Sequence, residues 1–260
     1  MSEVSWVRST LADLRAEPSR RAERVSQLLL FSPGEVLAGQ DGWRHLRGPD
    51  GYSGWAMASL LTPGPPPTPR WKVARPSVTV RSLTSPRPVG RMALDTRVGG
   101  HLEGGRLRLP WPGGGEAWIA AHEVVPIDWR GGVSDLLQLA GELVGVPYLW
   151  GGTSPFGFDC SGFIQRLFHF VFDRWLPRDT CQQRLLGQPI ESIDQLLPGD
   201  LLFFPGHVGL WAGEGVLIHA SGSAGMVVRT FLSPPRGTQA IRLAATFQGG
   251  RRLTAGGPPT

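Results

Sequence analysis

One short segment, Thr62-Pro-Gly-Pro-Pro-Pro-Thr-Pro69, restricts how this chain can fold more than any other. Proline fixes φ and lacks an amide hydrogen, so neither a helix nor a central strand can run through this segment. A second break, Pro126-Ile-Asp-Trp-Arg-Gly-Gly132, also combines proline with glycine. The sequence therefore predicts three folded segments, residues 1–63, 70–127 and 133–247.

Composition excludes several classes of protein. Glycine (36) and proline (24) together make 60 of 260 residues, which favours short strands and tight turns over a helical bundle. With 41% hydrophobic and 18% charged residues, wholesale disorder is excluded. No apolar run approaches the roughly 18 residues of a membrane span. The N-terminus shows no secretory signal and the two cysteines imply no disulfide framework, so a cytoplasmic location is expected.

The first two segments resemble each other. Gly54-Trp-Ala-Met-Ala-Ser-Leu-Leu61 and Ala117-Trp-Ile-Ala-Ala-His-Glu-Val124 align at an offset of 63, which pairs Trp55 with Trp118 and Pro63 with Pro126. Each segment also contains short β-type runs between turn residues. We expect a divergent tandem repeat of a small all-β barrel. The sequence Asp50-Gly-Tyr-Ser-Gly-Trp55 resembles bacterial SH3-like modules of cell-wall-processing proteins.

The formal charge of +5 lies entirely in residues 64–127, which hold nine basic and four acidic residues. These basic residues are scattered singly, and no nucleic-acid motif is present, so no nucleic-acid partner is expected. A solvated basic face, with weak attraction for an acidic polymer, is the favoured interpretation.

The third segment has a different pattern. Apolar residues at helical spacing predict one helix over residues 135–144, capped by Ser134 or Asp135, and a second over residues 163–171. Strands are predicted afterwards at residues 201–204, 208–211, 216–219, 227–230 and 240–244. Helices followed by an antiparallel sheet indicate an α+β domain. Residues 249–260 are expected to be a frayed tail.

A candidate nucleophile follows a glycine-rich loop, in Gly157-Phe-Asp-Cys160-Ser-Gly162. The helix that starts here would place the thiol of Cys160 at the positive end of its dipole, which favours the thiolate. Free amide groups of the first turn could stabilise an oxyanion. The alternative is a buried structural cysteine.

A nucleophilic cysteine needs a base and a group that orients the base. His207 and His219 lie on two predicted strands joined by the turn Ala212-Gly-Glu-Gly215. Their even separation of 12 would place the two imidazoles directly across from each other in a hairpin with an odd loop. The alternative is two ordinary strand histidines.

These motifs together resemble the NlpC family of papain-like cysteine peptidases. Asp159-Cys160-Ser161-Gly162, the strand beginning Gly199-Asp200, His207-Val-Gly-Leu and His219-Ala-Ser occur in the family's order. The resemblance implies a fold of two small all-β SH3-like barrels followed by an α+β papain-like domain. It also implies that Cys160 is the nucleophile, His207 the general base and acid, and His219 the orienting third member.

Tyr-Leu-Trp-Gly-Gly before the cysteine resembles one branch of the family, the γ-D-glutamyl-L-diamino acid endopeptidases. The resemblance implies that Asp159 binds the substrate's N-terminal ammonium, with Ser161 beside the nucleophile and Trp150 as an apolar wall. Tyr52 of the first module would reach into this substrate site, and Glu35 would supply a second carboxylate at the substrate's amine. The alternatives are a helix cap for Asp159, core for Trp150, turn packing for Tyr52 and surface for Glu35.

The expected function is therefore cleavage of the γ-D-glutamyl–diamino acid bond in free murein peptides with an unblocked N-terminal L-Ala. The first alternative is an exported hydrolase or amidase that attacks intact peptidoglycan. The second is a non-catalytic wall-binding protein. No cofactor is implied, and a metal site at Cys160, Cys181, His207 and His219 is disfavoured by their spacing. The preferred diamino acid and the oligomeric state are left open.

Overall fold

A computed structural model describes residues 3–85 and 87–253. The chain divides into two compact units, and the boundary between them in the sequence lies between Trp129 and Arg130. Within the described residues, each helix is too short or too polar to cross a membrane.

The first half of unit 1 is one seven-stranded sheet. Its strands are β1 (Val4–Val7), β2 (Leu11–Arg15), β3 (Arg24–Leu29), β4 (Pro33–Gln40), β5 (Trp43–Arg47), β6 (Ser53–Met57) and β7 (Leu61–Pro63). They are arranged in the order β3-β2-β6-β5-β4-β1-β7. Buried and less buried side chains alternate along β1, β2 and β6, so each of these strands contributes one face to an apolar core. Leu14, Leu46 and Ala56 lie at the centre of this core, fully buried.

The second half of unit 1 contains two smaller sheets. Its strands are β8 (Trp71–Val73), β9 (Ser77–Ser82), β10 (Pro88–Ala93), β11 (Arg97–Val98), β12 (His101–Glu103), β13 (Arg106–Pro110), β14 (Glu116–Ala120) and β15 (Val124–Pro126). The order is β10-β9-β14-β13-β12 in one sheet and β11-β8-β15 in the other. Val80, Met92, Leu107 and Ile119 lie in their shared core.

The predicted repeat is visible in the local structure. In the first half, β6 is followed by a 3₁₀ turn at Ala58–Leu60 and then by β7. In the second half, β14 is followed by a 3₁₀ turn at Ala121–Glu123 and then by β15. Each boundary of these elements recurs 63 residues later, and β6 and β14 share the same alternation of burial. The offset read from the sequence therefore describes backbone structure as well as residue types.

Unit 2 begins with helices and ends with a six-stranded sheet. Its helices are α1 (Val133–Glu142), α2 (Cys160–Phe172), α3 (Thr180–Gln183) and α4 (Thr238–Ala245). Its strands are β16 (Thr153–Ser154), β17 (Gly157–Phe158), β18 (Gln188–Ile190), β19 (Leu201–Phe204), β20 (His207–Gly213), β21 (Val216–Ser221), β22 (Met226–Phe231) and β23 (Gly250–Arg252). The large sheet has the order β18-β23-β19-β20-β21-β22, and α2 packs against β20 and β21.

The first predicted helix starts earlier than expected. Helix α1 begins at Val133, and its N-cap is Gly132 rather than Ser134 or Asp135. Asp135 acts instead from the third helical position, where its carboxylate accepts a hydrogen bond of 2.7 Å from the amide of Gly132. An acidic side chain at this position satisfies a free amide of the first turn as a capping residue would.

Two predictions near the C-terminus are wrong. The strand expected at residues 240–244 is helix α4, whose Ala240 and Leu243 pack with Phe247 on the core of the sheet. A short apolar run does not distinguish a helix from a buried strand, and here packing on the core of the sheet decides. Part of the expected tail, Gly250–Arg252, is strand β23 between β18 and β19. Residues 254–260 of that predicted tail lie outside the described residues.

Candidate active site

Cys160 is the first residue of α2, at the point where the glycine-rich loop ends. Asp159 caps this helix, since its carboxylate accepts a hydrogen bond of 2.7 Å from the amide of Gly162. The thiol is buried, with Sγ 3.7 Å from the hydroxyl oxygen of Thr180 and 4.0 Å from the carbonyl oxygen of Gly206. The predicted position of Cys160 at a helix start is therefore confirmed.

The expected thiolate is not the resting form of Cys160. Burial raises the pKa of the thiol, and the neighbouring carboxylate of Asp159 raises it further. Hydrogen bonds from Thr180 and from the amides of Val208 and Ser161 lower the pKa, but by less. The pKa of the thiol is therefore raised, against the direction expected from the helix dipole, and desolvation of the charged form is the largest cause. The free protein holds a protonated thiol at neutral pH.

His207 and His219 form a hydrogen-bonded pair, with 2.7 Å between Nε2 of His207 and Nδ1 of His219. The second ring nitrogen of His219, Nε2, lies 2.9 Å from the hydroxyl oxygen of Thr230. These three side chains follow one another across β20, β21 and β22. The Nδ1 atom of His207 is the ring nitrogen outside this chain of hydrogen bonds.

The register of the hairpin differs from the prediction. Strands β20 and β21 pair Leu210 with Ile218, which brings His219 opposite Gly209 and not opposite His207. The turn holds two residues, Glu214 and Gly215, both with positive φ, and the register shifts by one residue at Ala212. The two imidazoles are therefore diagonal neighbours on one face of the sheet.

Gly209 leaves the space that this diagonal contact needs. A Cβ on Gly209 would lie 3.0 Å from Cβ of His219 and 2.7 Å from Cδ1 of Leu217. A side chain there would push the imidazole of His219 away from His207. The glycine between the two histidine positions is thus part of the site.

Both imidazoles are neutral at physiological pH. Burial lowers the pKa of His207 to about 4. Burial lowers the pKa of His219 to about 3, with a further contribution from the charge of His207. A neutral His207, whose chain neighbours Gly206 and Val208 contact the protonated thiol, is suited to general-base chemistry, in which the proton moves only as the sulfur attacks.

Asp159 and Ser161 lie on either side of Cys160 and share one buried partner, Arg178. The guanidinium of Arg178 donates a hydrogen bond of 3.0 Å to Asp159 Oδ1, makes a shorter one to Oδ2, and donates another of 2.9 Å to Ser161 Oγ. The amide of Gly151 donates to the same carboxylate at 2.9 Å. Asp159 is thus a helix cap and half of a buried ion pair, and its binding of a substrate amine stays a prediction.

Trp150 and Tyr148 belong to the loop before the nucleophile. Trp150 is 61% exposed, so the alternative that it is a core residue is wrong, and its role as an apolar wall stays a prediction. Burial and the charges of Cys160 and Asp159 raise the pKa of Tyr148 to about 12, which keeps its hydroxyl protonated.

Tyr52 and Glu35 lie in unit 1. Tyr52 follows a turn in which its amide donates to Asp50 at 3.1 Å and its carbonyl accepts from Gly48 at 2.8 Å. Glu35 lies on β4, where its carboxylate pairs with Arg47 on β5 at 3.0 Å. These contacts match the turn-packing and surface alternatives, and the proposed reach of both residues to a substrate stays a prediction.

The described residues contain no cluster of three or more histidine, cysteine or acidic side chains that could hold a metal ion. Cys160 is buried and Cys181 is exposed, and both are free thiols. That Cys160, Cys181, His207 and His219 hold no metal ion stays a prediction from their spacing.

Two residues of the site were not identified from the sequence, Thr230 and Arg178. Thr230 lies in an alternating strand, where a hydroxyl is ordinary, so no local pattern distinguishes it. Arg178 lies in Trp175-Leu-Pro-Arg-Asp-Thr180, a segment that resembles the family, but its partner Asp159 is 19 residues away. An arginine directly after the apolar run Trp175-Leu-Pro177 was the available signal, since a buried cation needs a buried partner.

Among known proteins, Gamma-D-glutamyl-L-lysine dipeptidyl-peptidase of Bacillus subtilis is 37% identical over 115 residues, covering 41% of this chain and 38% of that protein. Murein DD-endopeptidase MepS/Murein LD-carboxypeptidase of Escherichia coli K12 is 39% identical over 106 residues, covering 39% of this chain and 56% of that protein. Dipeptidyl-peptidase 6 of Lysinibacillus sphaericus is 29% identical over 240 residues, covering 81% and 85%. The alignments span 38–64% of the first three relatives.

A crystal structure of an NlpC/P60 family protein from Bacillus cereus has a TM-score of 0.82 and 22% identity, covering 96% of this chain and 99% of the other. At that identity the likeness shows the fold. It confirms the predicted class, SH3-like all-β modules followed by an α+β papain-like domain.

Two family models match separate parts of the chain. The model of the NlpC/P60 family matches residues 145–240, within the predicted third segment, and includes Cys160, His207 and His219. The model described as a bacterial SH3 domain matches residues 8–63, within the predicted first segment. The chain is therefore similar to the NlpC/P60 family over residues 145–240, and a region that matches a bacterial SH3 domain precedes this one at residues 8–63.

Proposed function

We propose that this chain is a cysteine peptidase in which Cys160 attacks, His207 transfers protons and His219 orients His207. The observation that carries the proposal is the hydrogen-bonded chain of His207, His219 and Thr230 in the unit whose α2 begins with a buried thiol. A nucleophile, a base and an orienting group are the minimum for acyl transfer.

The base role of His207 fixes the tautomers. Nδ1 of His207 must be unprotonated to accept the thiol proton, so its Nε2 carries hydrogen and donates to Nδ1 of His219. Nε2 of His219 then carries hydrogen and donates to Thr230. The hydroxyl of Thr230 can accept this hydrogen bond, so the contact is compatible with the tautomer that leaves Nδ1 of His207 free to take a proton.

The reaction proceeds through two acyl transfers. The sulfur of Cys160 bonds to the substrate carbonyl carbon while its proton passes to His207. The first amide groups of α2, which lack intrahelical acceptors, stabilise the oxyanion. His207 returns the proton to the departing amine as the C–N bond breaks. Water then attacks the thioester and gives a proton to His207. His207 passes this proton to the sulfur as the C–S bond breaks, which releases the acid and restores the free thiol.

The proposed substrate is a free murein peptide of the type L-Ala-γ-D-Glu-diamino acid, cut at the γ-D-glutamyl bond. The support is the similarity to the Bacillus subtilis relative, a Gamma-D-glutamyl-L-lysine dipeptidyl-peptidase. The substrate's ammonium would share Asp159 with Arg178, and Trp150 would cover the peptide. Tyr52 and Glu35 are proposed to add contacts to the same amine.

Peptide cleavage followed by mass spectrometry tests the proposal. L-Ala-γ-D-Glu-meso-diaminopimelate and its N-acetylated form are offered to the wild type and to Cys160→Ala. Cleavage of the free-amine peptide alone, abolished in the variant, is the expected result. Cleavage of both peptides would retain the nucleophile and favour a hydrolase of intact peptidoglycan. Cleavage of neither would favour the wall-binding alternative.

We further propose that the protein works in the cytoplasm, where such peptides are recycled. Two free thiols are suited to a reducing compartment. Fractionation of cells that express the full-length protein tests the location, and recovery outside the cytoplasm would overturn it.

A further inference from the structure

A cavity of about 250 Å³ opens beside the histidine pair in unit 2. Strands β19, β20 and β21 form one wall and helix α4 forms the other. The cavity lining includes His207, His219, Ser221, Ser223, Gln239 and Arg242. Its volume is below the roughly 300 Å³ at which pockets for larger ligands begin, so it has room for a single amino acid.

One wall of the cavity is held in a fixed arrangement. The side-chain amide of Gln239 donates to Ser221 Oγ at 2.7 Å and to Ser223 Oγ at 3.0 Å, and the two hydroxyl oxygens lie 3.1 Å apart. Both hydrogens of the amide are thus used, which sets the orientation of its carbonyl oxygen. Polar groups held in this way are typical of a binding surface rather than of a loosely packed gap.

Arg242 supplies the charge of the cavity. It lies in the last turn of α4, is exposed, and pairs with no acidic side chain in the part of the chain that the structure describes. No aspartate or glutamate lines the cavity, and both histidines are neutral at physiological pH. A single unpaired guanidinium in such a cavity is suited to bind one carboxylate.

The position of the cavity relates it to one half of the substrate. In the proposed reaction His207 gives a proton to the departing amine, so the departing residue must lie against the His207 imidazole. The cavity begins at that imidazole. It therefore lies where the released amino acid would be held, which makes this step dependent on the proposed function.

We propose that this cavity receives the amino acid released by cleavage and that Arg242 binds its α-carboxylate. The peptidase then prefers peptides in which the diamino acid is the C-terminal residue. A longer peptide presents an amide at this position and loses the charge-assisted hydrogen bond.

The test compares two peptides, L-Ala-γ-D-Glu-L-Lys with a free C-terminal carboxylate and the same peptide as its carboxamide. Lysine is used because its side chain carries no carboxylate. The wild type is expected to cleave the acid with a kcat/KM about tenfold above that of the amide, the size of one partly exposed charge-assisted hydrogen bond. In Arg242→Gln the ratio should fall to about one, because kcat/KM falls for the acid and stays unchanged for the amide.

Arg236→Gln is the matched control, since Arg236 is also exposed and lies outside the cavity, where its guanidinium stacks on Phe231. It should keep the tenfold ratio. Equal rates on acid and amide in the wild type, or an unchanged ratio in Arg242→Gln, would overturn the proposal.

Calorimetry with Cys160→Ala separates this proposal from the proposed function. Tighter binding of the acid than of the amide, lost when Arg242→Gln is added, would support the cavity even if the wild type cleaved neither peptide. Equal affinities, or binding of neither, would overturn it. If the wild type cleaves both peptides equally, the proposed function stands and the role of Arg242 fails.

Discussion

Arg178 and Asp159 form an ion pair that is almost completely enclosed by unit 2, next to the residue that carries the thiol. Asp159 also caps α2, so the same carboxylate fixes both the helix start and the guanidinium. Removing one charge from a buried pair leaves the other without compensation, whereas an exposed pair is worth little.

We therefore expect Arg178→Met to lower the free energy of unfolding of unit 2 by about 3–5 kcal/mol. Arg47→Met, which breaks the exposed pair with Glu35 in unit 1, should cost less than about 1 kcal/mol. Urea unfolding of the full chain measures both. Equal effects of the two substitutions would show that the Asp159 carboxylate is solvated in solution.

Thr230 tests the tautomer argument. Thr230→Val keeps the shape of the side chain but removes the acceptor for Nε2 of His219, so we expect kcat to fall at least about tenfold. Thr230→Ser keeps the hydroxyl and should retain most of the activity. Steady-state cleavage of the free-amine peptide gives both values. If the valine and serine variants were equally active, the hydroxyl would have no part in orienting the pair.

The protonated thiol predicts an alkaline labelling profile. Because burial raises the pKa of Cys160, the thiolate fraction, and with it the rate of alkylation by iodoacetamide, should still increase between pH 7 and pH 9. The experiment uses Cys181→Ser, which removes the exposed second thiol. A rate that is flat over this range would indicate a preformed thiolate–imidazolium pair.

The buried histidines predict a loss of stability in acid. In the unfolded chain a histidine takes up a proton below a pKa of about 6.5, but His219 in the folded protein does so only at about 3. Between these values the unfolded state binds more protons, so the free energy of unfolding decreases as pH falls. Each such histidine contributes a slope of up to about 1.4 kcal/mol per pH unit.

His219→Gln should reduce that slope. We expect unfolding curves between pH 6.5 and pH 4 to be less pH-dependent in the variant than in the wild type by up to about 1.4 kcal/mol per unit. His45→Gln, a change in unit 1, is the control and should leave the acid slope of unit 2 unchanged. An identical slope in wild type and His219→Gln would mean that His219 is protonated in the folded state.

Sequence reasoning was most accurate where a local pattern determines structure. The start of α2 at Cys160 follows from the capping residue Asp159 and the apolar spacing after it. The repeat followed from residue identity at a constant offset. Both signals are contained within a few residues, so no tertiary information is needed to detect them.

The remaining features depend on contacts between distant residues. The partner of Arg178 and the hydroxyl bound by His219 are set by packing, and the pKa of Cys160 is set by how deeply the thiol is buried. The apolar residues at 240–244 fit the spacing of a helix as well as that of a strand, and only packing on the core beneath α4 decides that this segment is a helix. Propensity and spacing carry no information about these three-dimensional environments.

The one-residue register shift at Ala212 has a consequence for how this hairpin can change during evolution. With the two-residue turn alone, the pairing would bring His219 opposite Leu210, and its imidazole would leave the face that carries His207. The extra residue at Ala212 shifts the pairing by one position, so that His219 lies opposite Gly209 and shares a face with His207. With the turn and the bulge unchanged, an odd number of residues added to or removed from either strand between the two histidines would therefore move the imidazoles to opposite faces of the sheet. Length changes within these two strands should therefore occur in even numbers, whereas the turn can vary in length without separating the histidines.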